Sequence, residues 1–295
     1  MNLKPMFSKR SVFIAIIAAL LLSSCAAVSN LLPEEKATSV LSGREGVDGQ
    51  LLAVKIDDTN MAHPQIGLED AEIVYIEQVE GGLTRLVAIY STVIPERVGP
   101  VRSARISDID ILSQFGRVAF AYSGAQQKLL PVISASNLVD LGAQRQSPKI
   151  YTTDPTRNQP YAMVLRADLL MQKVVEDQLQ VDTAKSIGFV FGDLQEGGIP
   201  TEKVVINWPA ATYSAEWSDQ ESRWLLSHNN KLNIAESGLV LGPSTFVIQL
   251  VEISPSEYGD KFGGVTPLSE TIGSGKAYVL RDGQRFVTTW SRSSA

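Results

Sequence analysis

Cysteine is almost absent from this chain, and histidine is nearly as scarce: one and two, respectively, in 295 residues. A single thiol excludes a disulfide framework and a cysteine-rich metal site. His63 and His228 stand far apart, in what read as different domains, and neither has metal-ligand spacing. No metal and no cofactor are therefore expected. A Gly-x-Ser-x-Gly nucleophile elbow is missing as well. Gly273-Ser274-Gly275-Lys276 is followed by Ala277, where a phosphate loop needs Ser or Thr for magnesium, so it reads as a turn. Positive charge is in deficit, with 26 Lys and Arg against 32 Asp and Glu. Nucleic-acid binding requires a basic surface, which excludes that class of partner.

The N-terminus supplies the clearest positive signal. Lys4, Lys9 and Arg10 precede an uncharged apolar run, Val12 to Leu22, and then Leu22-Ser23-Ser24-Cys25. This is the pattern of a secretory signal, residues 1–24, cleaved before a cysteine that becomes lipidated. The run is shorter than the roughly 20 residues of a transmembrane helix. More than one acyl chain on Cys25 gives stable anchoring, so the expected location is the extracytoplasmic face of the cell membrane. Lipidation leaves no thiol for catalysis. Loss of the signal takes the net charge from -6 to -9, so the lipid, and not basic charge, holds the protein to the membrane. Residues 25–50 have little apolar periodicity and read as a flexible tether.

Residues 51–187 read as an α/β or α+β domain with a mixed sheet. Leu51 to Ile56, Ala71 to Val79 and Leu83 to Tyr90 are strand-like, the last two joined as a hairpin through Gly81-Gly82. With those glycines as a two-residue loop, Gln78 faces Arg85, and Glu80 shares their side of the hairpin. Glu77 then points to the other face, which argues against a Glu77/Glu80 glycosidase pair. After Gly99-Pro100, Ile106, Ile109, Leu112 and Phe115 recur at helical spacing, with Ser103 as the expected N-cap. Helix starts attract anions and arginine forks match their oxygens. Glu80, Arg85, Arg102, Ser103 and Arg105 therefore form a candidate anion-binding corner. The alternative is that these arginines pair with Asp57, Asp58, Glu77 or Glu80 and hold the domain together. Val118 to Tyr122 and Leu138 to Leu141 read as further strands, 147–160 as a long polar loop, and Leu169 to Val175 as a helix capped by Asp168.

Residues 188–200 read as a linker. From 201 to 295 the texture is of short strands and turns, as in a small all-β antiparallel sandwich or barrel.

The segments Pro64–Leu68, Ala71–Tyr75, Val79–Arg85 and Val98–Arg105, with Ile272–Tyr278, Arg281–Gly283 and Thr289–Arg292, resemble the YerB-like bacterial lipoproteins, whose two domains are of unknown function. The resemblance implies a two-domain envelope lipoprotein and brings no established catalytic residue. The family has His after the equivalent of Pro148, and here Lys149 stands there. Its second domain continues past the Thr-Trp-Ser-Arg segment, which leaves open a truncated C-terminal domain here.

Three functions fit these observations. The favoured one is a binding or scaffold protein of the cell envelope, anchored through Cys25, recognising an anionic glycan, a peptide or a protein partner. The alternative is an envelope enzyme acting on a glycan or polyprenyl-phosphate-linked substrate, with Asp57 or Asp58 holding a metal or acting as base. The third is an assembly protein without a small-molecule site. With no catalytic residue named, an enzyme is the lesser expectation.

Overall fold

Leu52–Asp57 is β1, six consecutive buried residues, which places it at the centre of a sheet covered on both faces. The computed structural model describes residues 36–260 and 263–293; the signal segment and Cys25 lie outside them. Around β1 run β2 (Ile73–Gln78), β3 (Thr84–Tyr90), β4 (Arg97–Val98), β5 (Ala119–Ala121), β6 (Val139–Asp140), β7 (Tyr151–Thr153) and β8 (Met163–Arg166). The main sheet has the order β2-β3-β1-β5-β6. β1 is antiparallel to β3 and parallel to β5, so the expected mixed sheet is present. A smaller sheet, β4-β8-β7, flanks it, and β7 falls inside the segment expected to be loop.

The two faces of the main sheet carry separate cores. Leu52, Val54, Ile56, Leu86 and Ala88 join one cluster with Leu165 and Leu170. Leu51, Ala53, Val87 and Ile89 join the other with Leu112, Phe115 and Phe120. Three short helices complete the domain: α1 (Ser107–Ser113), α2 (Leu130–Ala135) and α3 (Ala167–Glu176). Asp168 lies inside the first turn of α3 and pairs with Arg166; it is not the N-cap.

Thr38 onward is not a tether. Leu41 is buried in the second core cluster, and the 40 to 48 turn closes through Val40 N–H donating to Asp48 Oδ2 at 2.9 Å. Residues from Thr38 to Ala295 form one compact unit.

The C-terminal half is built from β9 (Ile199–Pro200), β10 (Lys203–Trp208), β11 (Ala211–Ser218), β12 (Arg223–His228), β13 (Lys231–Leu232), β14 (Thr245–Gln249), β15 (Ile253–Gly259), β16 (Val265–Ser269), β17 (Gly273–Arg281) and β18 (Gln284–Arg292). Two four-stranded sheets, β10-β11-β12-β13 and β14-β17-β18-β9, pack through Ala215, Trp224 and Leu280, giving the expected antiparallel sandwich. Gly273-Ser274-Gly275-Lys276 is strand and not turn: it opens β17 and pairs along β18.

Candidate functional site

The hairpin register decides which side chains meet. The β2–β3 loop is a 3-10 turn, Glu80–Gly82, so Gln78 pairs with Thr84 and Glu77 with Arg85. This corrects the two-residue-loop register by one position and turns every side chain over. Glu77 now shares a face with Arg85 and, across β1, with Asp57. The longer turn brings Gly82 against the C-terminal half, where its φ of +72° and a Cβ only 2.4 Å from Pro209 would exclude a side chain.

On that face the charges pair internally. Arg105 Nε and Nη2 donate to Glu80 Oε2 at 2.9 and 2.7 Å, and Thr266 donates to Glu80 Oε1. Burial pushes the Glu80 carboxyl up, but Arg105 and Thr266 outweigh it and leave it below its ordinary value. Arg102 Nε sits 2.7 Å from Asp57 Oδ2, an ion pair off the hydrogen-bond line. Arg85 donates to the Ser103 carbonyl at 2.9 Å; burial first, then Arg105 and Arg102, lower its guanidinium to about 10. Ser103 does not cap a helix. The chain from Arg102 to Ala104 is instead held to the loop after β5, by Ala104 N–H to Gly124 O and Ser123 N–H to Arg102 O, both at 2.9 Å. The helix starts later, and Asp108 in its first turn accepts the Arg105 N–H at 2.6 Å. The five predicted residues do come together, but their forks end on this chain's own oxygens.

Behind them lies a buried triad. Lys55 Nζ contacts Glu77 and lies 2.7 Å from Asp108 Oδ1, with all three side chains out of solvent. Two carboxylates share one ammonium, so burial raises the Glu77 carboxyl to about 7, Lys55 offsetting part of the effect and Asp108 adding to it. A carboxyl raised in the folded state stabilises below its unfolded value and loses that contribution as pH rises through the folded one. Wild-type stability should therefore fall between about pH 4.5 and 7 by an amount on the order of 3 kcal/mol that Glu77→Gln removes. Urea titrations of both proteins across that range check it; parallel curves would contradict the assignment.

The other face of the sheet holds what the sequence did not reveal. Asp57 and Asp58 are neighbours but point apart, and Asp58 emerges at the seam with the C-terminal half. Its Oδ2 accepts from Thr84 Oγ1 at 2.6 Å, and its Oδ1 accepts from Tyr213 Oη at 2.7 Å and Gln65 Nε2 at 3.2 Å. His63 Nε2 lies 3.3 Å from Asp58 Oδ1, and His228 Nε2 3.9 Å from Oδ2. The two imidazoles stack with centroids 4.6 Å apart, and Tyr213 flanks His228. The expectation that the histidines are far apart is thus wrong: β12 ends at His228 directly over the 60 to 66 segment. Burial holds the His228 imidazole below its ordinary value, against the pull of Asp58.

His63 is fixed by its surroundings. Arg157 donates to the carbonyls of Ala62 and Pro64 at 3.0 and 2.6 Å, and His63 Nδ1 contacts Asn233 Oδ1 at 3.1 Å. A cavity of 390 Å³ opens on one side, bordered by Met61, His63, Asn158, Tyr161, Arg157 and Glu236. A second, of 360 Å³, is bordered by His63 and His228. No spacing rule links positions 63 and 228; the one available hint was Asp57-Asp58 closing an apolar strand, where buried carboxylates need partners.

A mixed α/β domain joined to a β-sandwich, with a polar seam to which both contribute, defines the class of the protein. The chain belongs to the DUF3048 family: the N-terminal domain described as a protein of unknown function matches residues 38–180, and the C-terminal domain matches 204–295. The resemblance to YerB-like proteins holds. A Bacillus subtilis (strain 168) relative named "Putative lipoprotein YerB" is 40% identical over 73 residues, 25% of this chain and 22% of that protein's length. The crystal structure of the Bacillus subtilis YerB protein matches with a TM-score of 0.71 at 19% identity, over 87% of each chain, a likeness of fold.

Proposed function

We propose that this protein is an envelope lipoprotein, held to the membrane through Cys25, that binds an anionic glycan or peptide-stem fragment in the seam cavity beside His63. The observation that carries the reading is the lining of that cavity. Tyr161 offers a flat apolar face, with Arg102 stacked over its ring at 6.0 Å from the centroid. Thr156, Asn158 and Arg157 stand around it, and Glu236 comes from the C-terminal half. An aromatic face ringed by donors and acceptors suits a hydroxylated sugar ring, and Arg102, already paired with Asp57, adds positive charge beside it. The Arg85, Ser103, Arg105 and Glu80 set then acts behind Arg102 by fixing the backbone that carries it.

Isothermal titration with a soluble peptidoglycan fragment tests this. Saturable binding should weaken at least about fivefold in Tyr161→Ala, since stacking on an aromatic ring contributes about 1 kcal/mol or more. Tyr161 is only partly buried, so the melting temperature should hardly move. Binding unaltered by Tyr161→Ala would remove the cavity from the account.

The enzyme reading, a glycan or polyprenyl-phosphate-linked substrate turned over at the seam, gains one observation: His63 Nε2 lies 3.3 Å from Asp58 Oδ1, the pairing of an imidazole base with an orienting carboxylate.

A further inference from the structure

Asp58 is a carboxylate with no exposed surface and, among the described residues, no Lys or Arg ion pair. Its hydrogen-bond donors, Thr84, Tyr213 and Gln65, are all neutral. A buried charge of this kind calls for a cation. Opposite it, His228 Nε2 is buried without a hydrogen-bond partner, on a side chain only 3% exposed. These two unmet needs face each other, with His63 beside them.

We propose that Asp58, His63 and His228 bind a divalent transition-metal ion of the zinc class. One donor atom from each lies within 4.8 Å of the other two. With metal bonds of about 2.1 Å, the donors of a tetrahedral shell stand about 3.4 Å apart. His63 Nε2 to Asp58 Oδ1, at 3.3 Å, already matches. His228 Nε2 is 3.9 Å from the other carboxylate oxygen, Oδ2, and with the three donor atoms within 4.8 Å of one another it has to close in by up to roughly an ångström and a half. The rings are parallel to within 10°, which aims their lone pairs side by side and not at one point. Closure therefore turns the His228 ring out of the stack, and its Nε2 gives up no hydrogen bond in doing so. It also displaces the Gln65 amide, which now bridges Asp58 and His63.

The outer partners suit the role. Asn233 Oδ1 accepts from His63 Nδ1 and leaves Nε2 free as a ligand, while Thr84 and Tyr213 orient the carboxylate. Two imidazoles and one carboxylate match the zinc-type donor set, and the cavity bordered by both histidines leaves room for a water as fourth ligand. The site stands independently of any glycan.

The test uses the full-length chain carrying Cys25→Ala, so that no thiol competes, stripped with chelator. Titration with zinc chloride should show one equivalent bound, and cobalt chloride should give the intense visible bands of a tetrahedral ion. His63→Gln and His228→Gln should each weaken zinc binding by roughly 100-fold or more, and Asn233→Ala by about 10- to 100-fold. Circular dichroism reports whether each variant folds; if His228→Gln does not, His63→Gln decides. A folded wild type without saturable zinc uptake, or equal affinity in His63→Gln, would overturn the site.

Discussion

Lys55→Met should lower the unfolding free energy by about 3–5 kcal/mol, because it leaves Glu77 and Asp108 buried with no cation between them. Methionine keeps much of the lysine volume, so the loss reports charge and not a void. The same logic gives an internal control. Adding Glu77→Leu removes one of the two stranded carboxylates, and Lys55→Met/Glu77→Leu should recover part of the loss. Urea unfolding of the three proteins at pH 8, above the wild-type Glu77 value, gives the largest contrast. A Lys55→Met loss below about 1 kcal/mol would mean that water reaches the triad and that the charges are screened.

Arg105→Ala should be nearly as damaging, at about 3 kcal/mol or more, for a related reason. It strands Glu80, which is 7% exposed and reaches across to Thr266 in the C-terminal half. Arg105 also donates to the Ser103 and Ala104 carbonyls, so its loss frees the strap before α1. Unfolding should begin where the two halves meet, and hydrogen exchange at Ser269, whose amide donates to Ser107 Oγ, should speed up first. Arg102→Ala is the informative comparison. Arg102 is a quarter exposed and its ion pair with Asp57 is not a well-aligned hydrogen bond, so its removal should cost about 1 kcal/mol. Equal stability losses for Arg102→Ala and Arg105→Ala would contradict the distinction drawn between them.

These two residues show how far the sequence could be read. Both were legible as members of one cluster, because Gly99-Pro100 and the Ile106, Ile109, Leu112 spacing bracket them between a bend and a helix. What the cluster does was not legible. That depends on the β2–β3 register, and register turns on whether Glu80 belongs to the loop. Glu80-Gly81-Gly82 forms a 3-10 turn that local propensity does not separate from a two-glycine hairpin loop. One residue of slip moved Glu77 onto the arginine face, and with it the answer to where Lys55 finds its partners. The mixed sheet and the C-terminal sandwich were readable because alternation and buried apolar runs are local signals. The buried start of the fold, Ser39 to Leu41, was not, since one leucine in a polar segment gives no period.

The histidine seam was hidden for a stronger reason. Asp58 and His63 come from one stretch and Tyr213 and His228 from another about 150 residues on, and nothing short of the packed sandwich places β11 and β12 over the end of β1. Scarcity then becomes useful. The chain has two histidines, and both stand at the seam.

A sample labelled only at histidine therefore reports the site with two imidazole signals and no background. Its heteronuclear spectrum, followed during titration with a soluble peptidoglycan fragment, tests the seam as a binding site most directly. His63, which borders both cavities, should shift saturably, and Tyr161→Ala should move the midpoint of that shift to at least about fivefold higher fragment concentration while both resting signals stay in place. If both imidazole signals hold still while the fragment binds elsewhere on the protein, the seam is not its binding site.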